Sequence, residues 1–306
     1  IMIIRKPQHW FLRLFDWHGS VLPKISFQLT LNIMMSVIAL LSLPWYETLN
    51  VRLTTAPFSL LGVSIAVFLG FRNNASYSRF LEARLLWGTL LIHSRILLRQ
   101  LHSVLPKNSP ALITFARLLT AFAYALKHQL RGSGSDEDLL RLLPEEYRQQ
   151  VMTSPFRANR ILLVIGMFLG DLRRQGAISD IVFSEIDQAF RQLEIILGGC
   201  ERLANTPIPF AYTLILHRTV YLFCSLLPFA LITELHYLTI LVSAFISYTF
   251  MSLEALAEEL EHPFGTESNQ LPLDAMCIVI ERHLLEMNDQ SPLPEMWLPD
   301  SKFNLT

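Results

Sequence analysis

The chain has 306 residues, of which 52% are apolar and 17% charged, with 25 Lys and Arg against 26 Asp and Glu for a net charge of −1. That is too apolar for an average water-soluble protein and too charged for one confined to lipid, so a membrane part joined to a water-exposed part is expected. Near-zero charge argues against a nucleic-acid partner held by a basic surface, and the three scattered cysteines, Cys200, Cys224 and Cys277, argue against a disulfide framework.

Residues 1–26 place Arg5, Lys6, Arg13 and Lys24 among Trp10, Phe11, Phe15 and Trp17. Basic and aromatic side chains ahead of an apolar run read as a cytoplasmic interfacial segment. Pro7, Gln8 and His9 interrupt any signal-peptide core. Phe27–Leu43 is the first uncharged run, expected to end at Pro44-Trp45-Tyr46, where proline stops a helix and the aromatics suit an interface. A loop over Glu47–Thr55 leads to the second run, with Pro57 in the first turn of its helix.

From Leu53 to Phe71 the chain carries no charge, enough at about 1.5 Å per residue to cross a hydrocarbon core of about 30 Å. At Arg72 it turns amphipathic and continues as one helix to about residue 105. Val63, Val67 and Phe71 recur every four residues on one face, which becomes polar below them at Asn74 and Ser78. Gly62, Ala66 and Gly70 let neighbouring backbones approach closely. The stripe has two readings. It is either packed membrane core, the commoner use of such a pattern, or a hydrophobic constriction repeated around a symmetry axis above a wetter vestibule.

Residues 72–218 read as a helical cytosolic region, with helices over Leu85–Leu105, Ala111–Leu130, Pro144–Met152, Arg157–Leu172 and Ser179–Leu197. Gly132-Ser133-Gly134-Ser135 is a loop before an acidic helix start at Asp136, Glu137 and Asp138. Ile161–Gly170 is apolar but too short to span, so it is expected to be buried. No stretch shows strand alternation. Residues 219–253 hold the third and fourth spans, Thr219–Thr233 with Pro228 and Tyr237–Leu253, hinged at Glu234-Leu235-His236. Four spans put both termini on one side, the cytoplasm of an inner-membrane protein. Glu254, Glu258, Glu259 and Glu261 are expected to carry the fourth helix into water until His262-Pro263 breaks it. A last helix over Leu273–Glu286 and an extended surface tail over 287–306 complete residues 254–306.

No HExxH, GxSxG, Walker loop or strand-linked GxGxxG is present, so neither an enzyme nor a cofactor is expected. The acidic cluster beside His262 reads as a solvated face rather than a cation site. The loop Gly265-Thr266-Glu267-Ser268-Asn269-Gln270 offers one carboxylate, too few for tight calcium binding.

Three blocks resemble the bestrophin family, in its bacterial branch. They are Phe68-Leu69-Gly70-Phe71 with Ser78-Arg79, Ile208-Pro209 with Tyr212-Thr213 and Val220-Tyr221, and Pro263-Phe264-Gly265 with its polar successor. The resemblance covers nearly the whole chain. It implies an all-α homopentamer around an axial pore, in contact with membrane lipid, with Val63, Val67 and Phe71 as the neck and Asn74 and Ser78 in the vestibule. It further implies a cytosolic aperture at Ile181, after Asp180. Valine at two neck positions, where bulkier residues are common, implies a slightly wider neck. The loop Gly265–Gln270 matches a calcium clasp that is acidic in animal members, so calcium activation of that kind is not expected here. Bacterial relatives resemble cation channels, so conduction of monovalent cations such as sodium is expected, with an anion channel of the same architecture as the alternative. A membrane-anchored helical scaffold for a protein partner is the reading from a different class, and a secondary transporter a weaker third.

Overall fold

Ten helices and one short strand pair follow along the described residues of the computed structural model, which are 2–3, 9, 11, 16–17, 19–49, 54–132, 136–301 and 303–305. In chain order they are β1 (Met2–Ile3), α1 (Leu22–Leu49), α2 (Thr55–Val104), α3 (Pro110–Arg131), α4 (Asp136–Leu142), α5 (Glu145–Met152) and α6 (Arg157–Arg174), then α7 (Asp180–Asn205), α8 (Phe210–Leu235), α9 (Leu238–Glu261), α10 (Leu273–Met287) and β2 (Asn304–Leu305). Arg5, Lys6, Pro7, Gln8, Trp10, Arg13 and Phe15 of the expected interfacial segment lie outside the described residues, as do 50–53 and 133–135 of the expected loops.

The chain divides into two units: Lys6–Phe80 with Pro207–His262, and Ile1–Arg5 with Leu81–Thr206 and Pro263–Thr306. In the first, α9 packs on α1 and α8, and α1 packs on α8. The core joins Ile25, Ile65, Val220, Phe223, Leu227 and Met251, with Phe223 edge-on to Phe250. Polar groups tie the same helices: Asn32 Nδ2 donates to the Cys224 carbonyl at 2.5 Å, and the Ser36 and Ser243 hydroxyls meet at 2.7 Å. Such bonds matter where lipid supplies no hydrophobic drive between helices. A Cβ at Gly62 would stand 3.3 Å from the Phe223 ring, so that glycine has the packing reason its position demands. Gly70 has nothing within 4 Å of such a Cβ, so it admits no close neighbour within the chain.

The second unit is built on α3, which packs against α4, α6, α7 and α10. Pro110 opens it and Gly132, at φ 61°, closes it in the left-handed region that glycine adopts freely. Ile161, Leu162, Val164, Ile165 and Leu169 are buried on α6, as expected for that apolar stretch.

Several boundaries differ from expectation. Helix α1 runs through Pro44 to Leu49. Proline forfeits one backbone bond, whereas unwinding in an apolar surrounding would strand several polar groups, so continuing costs less. Helix α7 passes Leu197-Gly198-Gly199 and ends at Asn205, because Gly199 is a contact point: a Cβ there would stand 3.0 Å from the Leu86 methyl groups. Met2–Ile3 pairs antiparallel with Asn304–Leu305, and Met2 bridges Asn269, a pairing too short to leave a period of two in the sequence. Helix α9 ends at Glu261, but its glutamates do not all enter water: Glu254, Glu259 and Glu261 are buried.

Among the described residues five helices are long and apolar enough to cross a membrane: Leu22–Trp45, α2, α3, α8 and α9. The apolar window of α3 is 72% buried within the fold, against 44% or less for the other four.

Candidate functional site

Helix α2 has two unlike faces in the first unit. Ile65, Leu69, Arg72 and Ser76, spaced four, three and four residues, are buried, whereas Val63, Val67 and Phe71 are 64%, 51% and 63% exposed. The same open face continues through Asn74 and Ser78. Within one chain, therefore, the stripe is not packed core. Ser78 turns its hydroxyl back onto the Asn74 carbonyl at 2.9 Å, which leaves the Asn74 amide as the projecting polar group of this face.

The buried face is anchored by charge. Arg72 is 0% exposed and donates from Nη1 to Glu254 Oε1 at 3.0 Å, while its Nη2 stands 3.8 Å from Glu261 Oε2. His217 Nδ1 meets the same Glu254 Oε1 at 3.1 Å. Glu261 is held in turn, its Oε1 accepting from Ile208 N at 3.0 Å and its carbonyl from Arg79 Nε at 3.1 Å. Tyr212 donates its hydroxyl to the Phe68 carbonyl at 3.2 Å. A cavity of about 310 Å³ opens beside this cluster, lined by Arg72, Ile208, Thr213, His217, Glu254 and Glu261 among others. Glu258 lies nearer the surface, 3.6 Å from Lys24. The carboxylates taken for a solvated face thus include a buried ion-pair cluster. The signal was present in the spacing: Glu254, Glu258 and Glu261 share one face of α9, and Arg72 falls on the buried register of α2.

In the second unit Ile181 is 79% exposed at the start of α7, whose first turn is capped by Ser179 accepting from Val182 N. Asp180 beside it is bound by Arg173 Nε at 2.6 Å, and Ile178 is buried just before, so Ile181 projects from a fixed turn. The loop Gly265–Gln270 is closed by its own amide. Gln270 is buried, its Oε1 accepts from Glu267 N at 2.7 Å, and a Cβ on Gly265 would stand 2.4 Å from that oxygen. A neutral side chain thus fills the loop. No grouping of three or more His, Cys, Asp or Glu placed to hold a metal occurs among the described residues.

Behind that loop runs an ion network absent from sequence reasoning, since its partners lie far apart in the chain. Asp274 accepts from Lys127 at 2.9 Å and from Arg131, while Glu281 accepts from Tyr124 at 2.8 Å and from Arg141 at 2.5 Å. Burial works to raise the Asp274 carboxyl, but the bonds from Lys127 and Arg131 outweigh it and hold it below the usual carboxylate range. Burial, then the Glu281 charge, pushes the Tyr124 hydroxyl up, and burial drives the Cys200 thiol up to about 12, an inert interior thiol.

Residues 2–286 match the family described as Bacterial/Fungal Bestrophin protein. The chain is 55% identical over 305 residues to the Escherichia coli K12 protein named voltage-dependent anion channel-forming protein YneE, covering 100% of both. It is 41% identical to the similarly named RSc3414 of Ralstonia nicotianae, covering 92% of each. The crystal structure of a bacterial bestrophin homolog from Klebsiella pneumoniae superimposes with a TM-score of 0.85 at 58% identity, covering 88% of this chain and 100% of that one.

Proposed function

The chain belongs to the bestrophin family, a channel family and not an enzyme family, and we propose that it forms an anion channel. This corrects the expectation of conduction by monovalent cations such as sodium: relatives at 55% and 41% identity are named anion channel-forming proteins. That expectation rested on family likeness alone, and the uncharged side chains of Val63, Val67 and Phe71 provide nothing that repels an anion.

Five copies surround an axial pore. In each, α1, the first part of α2, α8 and α9 cross the inner membrane, the buried α3 remains in the cytosolic region, and both termini are cytoplasmic. Val63, Val67 and Phe71 face the axis as the neck, Asn74 and Ser78 line the vestibule below it, and Ile181 rings a second, cytosolic aperture. The observation that carries this reading is the exposed stripe of α2. An apolar row beside a buried, charge-anchored face needs either lipid or other copies to cover it, and the polar continuation at Asn74 and Ser78 favours a wetted axis over lipid.

Reversal potentials in asymmetric sodium chloride, with purified protein in planar bilayers, test it. The zero-current voltage is expected close to the chloride equilibrium potential. A value at the sodium potential, or the absence of current, would sink the proposal.

A further inference from the structure

We propose that Arg72, Glu254 and His217 form a proton-operated latch on the helix that carries the apolar stripe, an inference that rests on α2 being the pore helix. Glu254 Oε1 serves two donors, Arg72 Nη1 at 3.0 Å and His217 Nδ1 at 3.1 Å. Arg72 has a second acceptor within reach. Its Nε and Nη2 edge, the edge that takes a carboxylate side-on, has no hydrogen-bond partner, although it is fully buried and Glu261 Oε2 is only 3.8 Å from Nη2. A small movement therefore transfers the guanidinium from Glu254 to Glu261, and the adjoining cavity of about 310 Å³ leaves room for it.

Histidine is the side chain that ordinarily gains its charge between pH 8 and pH 5. Neutral, His217 is one donor among two. Protonated, its bond to Glu254 becomes charge-assisted and about twice as strong. Arg72 then shares its carboxylate with a second cation, and both the competition and the like charge favour Glu261. Other ionisable groups also stand around His217. From α9 come Glu258, bound to Lys24 of α1, and His262 at the helix end. From its own helix come Arg218 and Tyr221, the latter with ring centroids 4.4 Å apart. Arg72 directly follows Phe71, so exchanging its anchor displaces the stripe at its lower end. This is a two-position element biased by one proton.

His217→Gln tests it, because glutamine keeps an N–H donor without the titratable charge at a half-exposed position. In bilayers at symmetrical pH 7.5 and 5.5, open probability of the wild type is expected to differ by about fivefold, a usual size for coupling between two sites, and the variant is expected to be flat. Equal wild-type currents at both pH values, or a response that persists in His217→Gln, would overturn the latch. Nuclear magnetic resonance of 15N-arginine protein in nanodiscs is the second measurement. The Arg72 Nε signal should move between the two pH values only in the wild type. If no form conducts, the channel reading fails and this signal alone decides the latch, a stationary signal refuting it.

Discussion

Replacing Arg72 with Met should be among the most damaging changes available in the first unit. The guanidinium is 0% exposed and faces carboxylates at 3.0 and 3.8 Å, both themselves buried. At an effective dielectric of about 20, each contact is worth roughly 4–6 kcal/mol of gross attraction. Desolvation of the three charges offsets much of that, so the net value of the cluster is small. Breaking it from one side is different: two carboxylates remain buried without a cation, which costs about 3–5 kcal/mol. At about 2–4 °C per kcal/mol, the apparent Tm of the detergent-solubilised protein should fall by about 6 °C or more. The comparison is Arg202→Ala, which removes an exposed pair with Glu82 and should move the Tm by no more than about 2 °C. Raising salt to about 1 M contracts the screening length to about 3 Å and should erase the small Arg202 effect while leaving that of Arg72 intact. Glu254→Gln added to Arg72→Met should recover part of the loss. An Arg72→Met protein that melts within about 2 °C of wild type would refute the burial reasoning.

Alanine at Val63, Val67 and Phe71 together should raise single-channel conductance or open probability by about twofold or more, since smaller side chains disfavour dewetting; unchanged currents would remove the neck from the account. Asp274→Asn should cost about 1–3 kcal/mol at pH 7. The native carboxyl is held below its ordinary value, so its contribution is complete above about pH 4 and disappears as pH falls through the lower, folded value. The gap between variant and wild type in thermal melts should therefore close below about pH 4, and a gap constant with pH would contradict the pairing. Gly265→Ala drives a Cβ to 2.4 Å from an amide oxygen already engaged by Glu267 N, so a loss of about 1–3 kcal/mol is expected in chemical denaturation. Calorimetry should detect no tight calcium binding at the same loop; micromolar binding that Glu267→Ala abolishes would overturn that.

Most helices were legible because their apolar periods and stop signals agree locally: Pro110 and Gly132 bracket α3, Ser179 caps α7, and His262-Pro263 follow the end of α9. Pro44 and Gly198-Gly199 misled because each has a local meaning that packing overrides. The stripe on α2 was legible as spacing, but whether it is covered depends on neighbours in space, which spacing does not encode. The Arg72 cluster was half legible: Glu254, Glu258 and Glu261 mark one face of α9 by their spacing, but that Arg72 meets this face is not in the spacing. A charge at the end of an apolar run reads as the exit into water unless its partners, 182 positions later, are brought into view. Ion preference was not legible at all, since the uncharged side chains of Val63, Val67 and Phe71 carry no sign.

That separation of 182 residues also sets a clock. At roughly 5–20 residues per second of synthesis, Arg72 emerges about 10–40 s before Glu254 exists. Throughout that interval the nascent α2 holds an uncompensated guanidinium at the end of its apolar run, and its aliphatic stem has to reach back to the lipid headgroups for company. The synthesis of α9 is thus the event that supplies the two carboxylates Arg72 meets in the folded chain. Truncation before Glu254 should therefore leave Arg72 without either of its carboxylate partners for as long as the shortened chain exists.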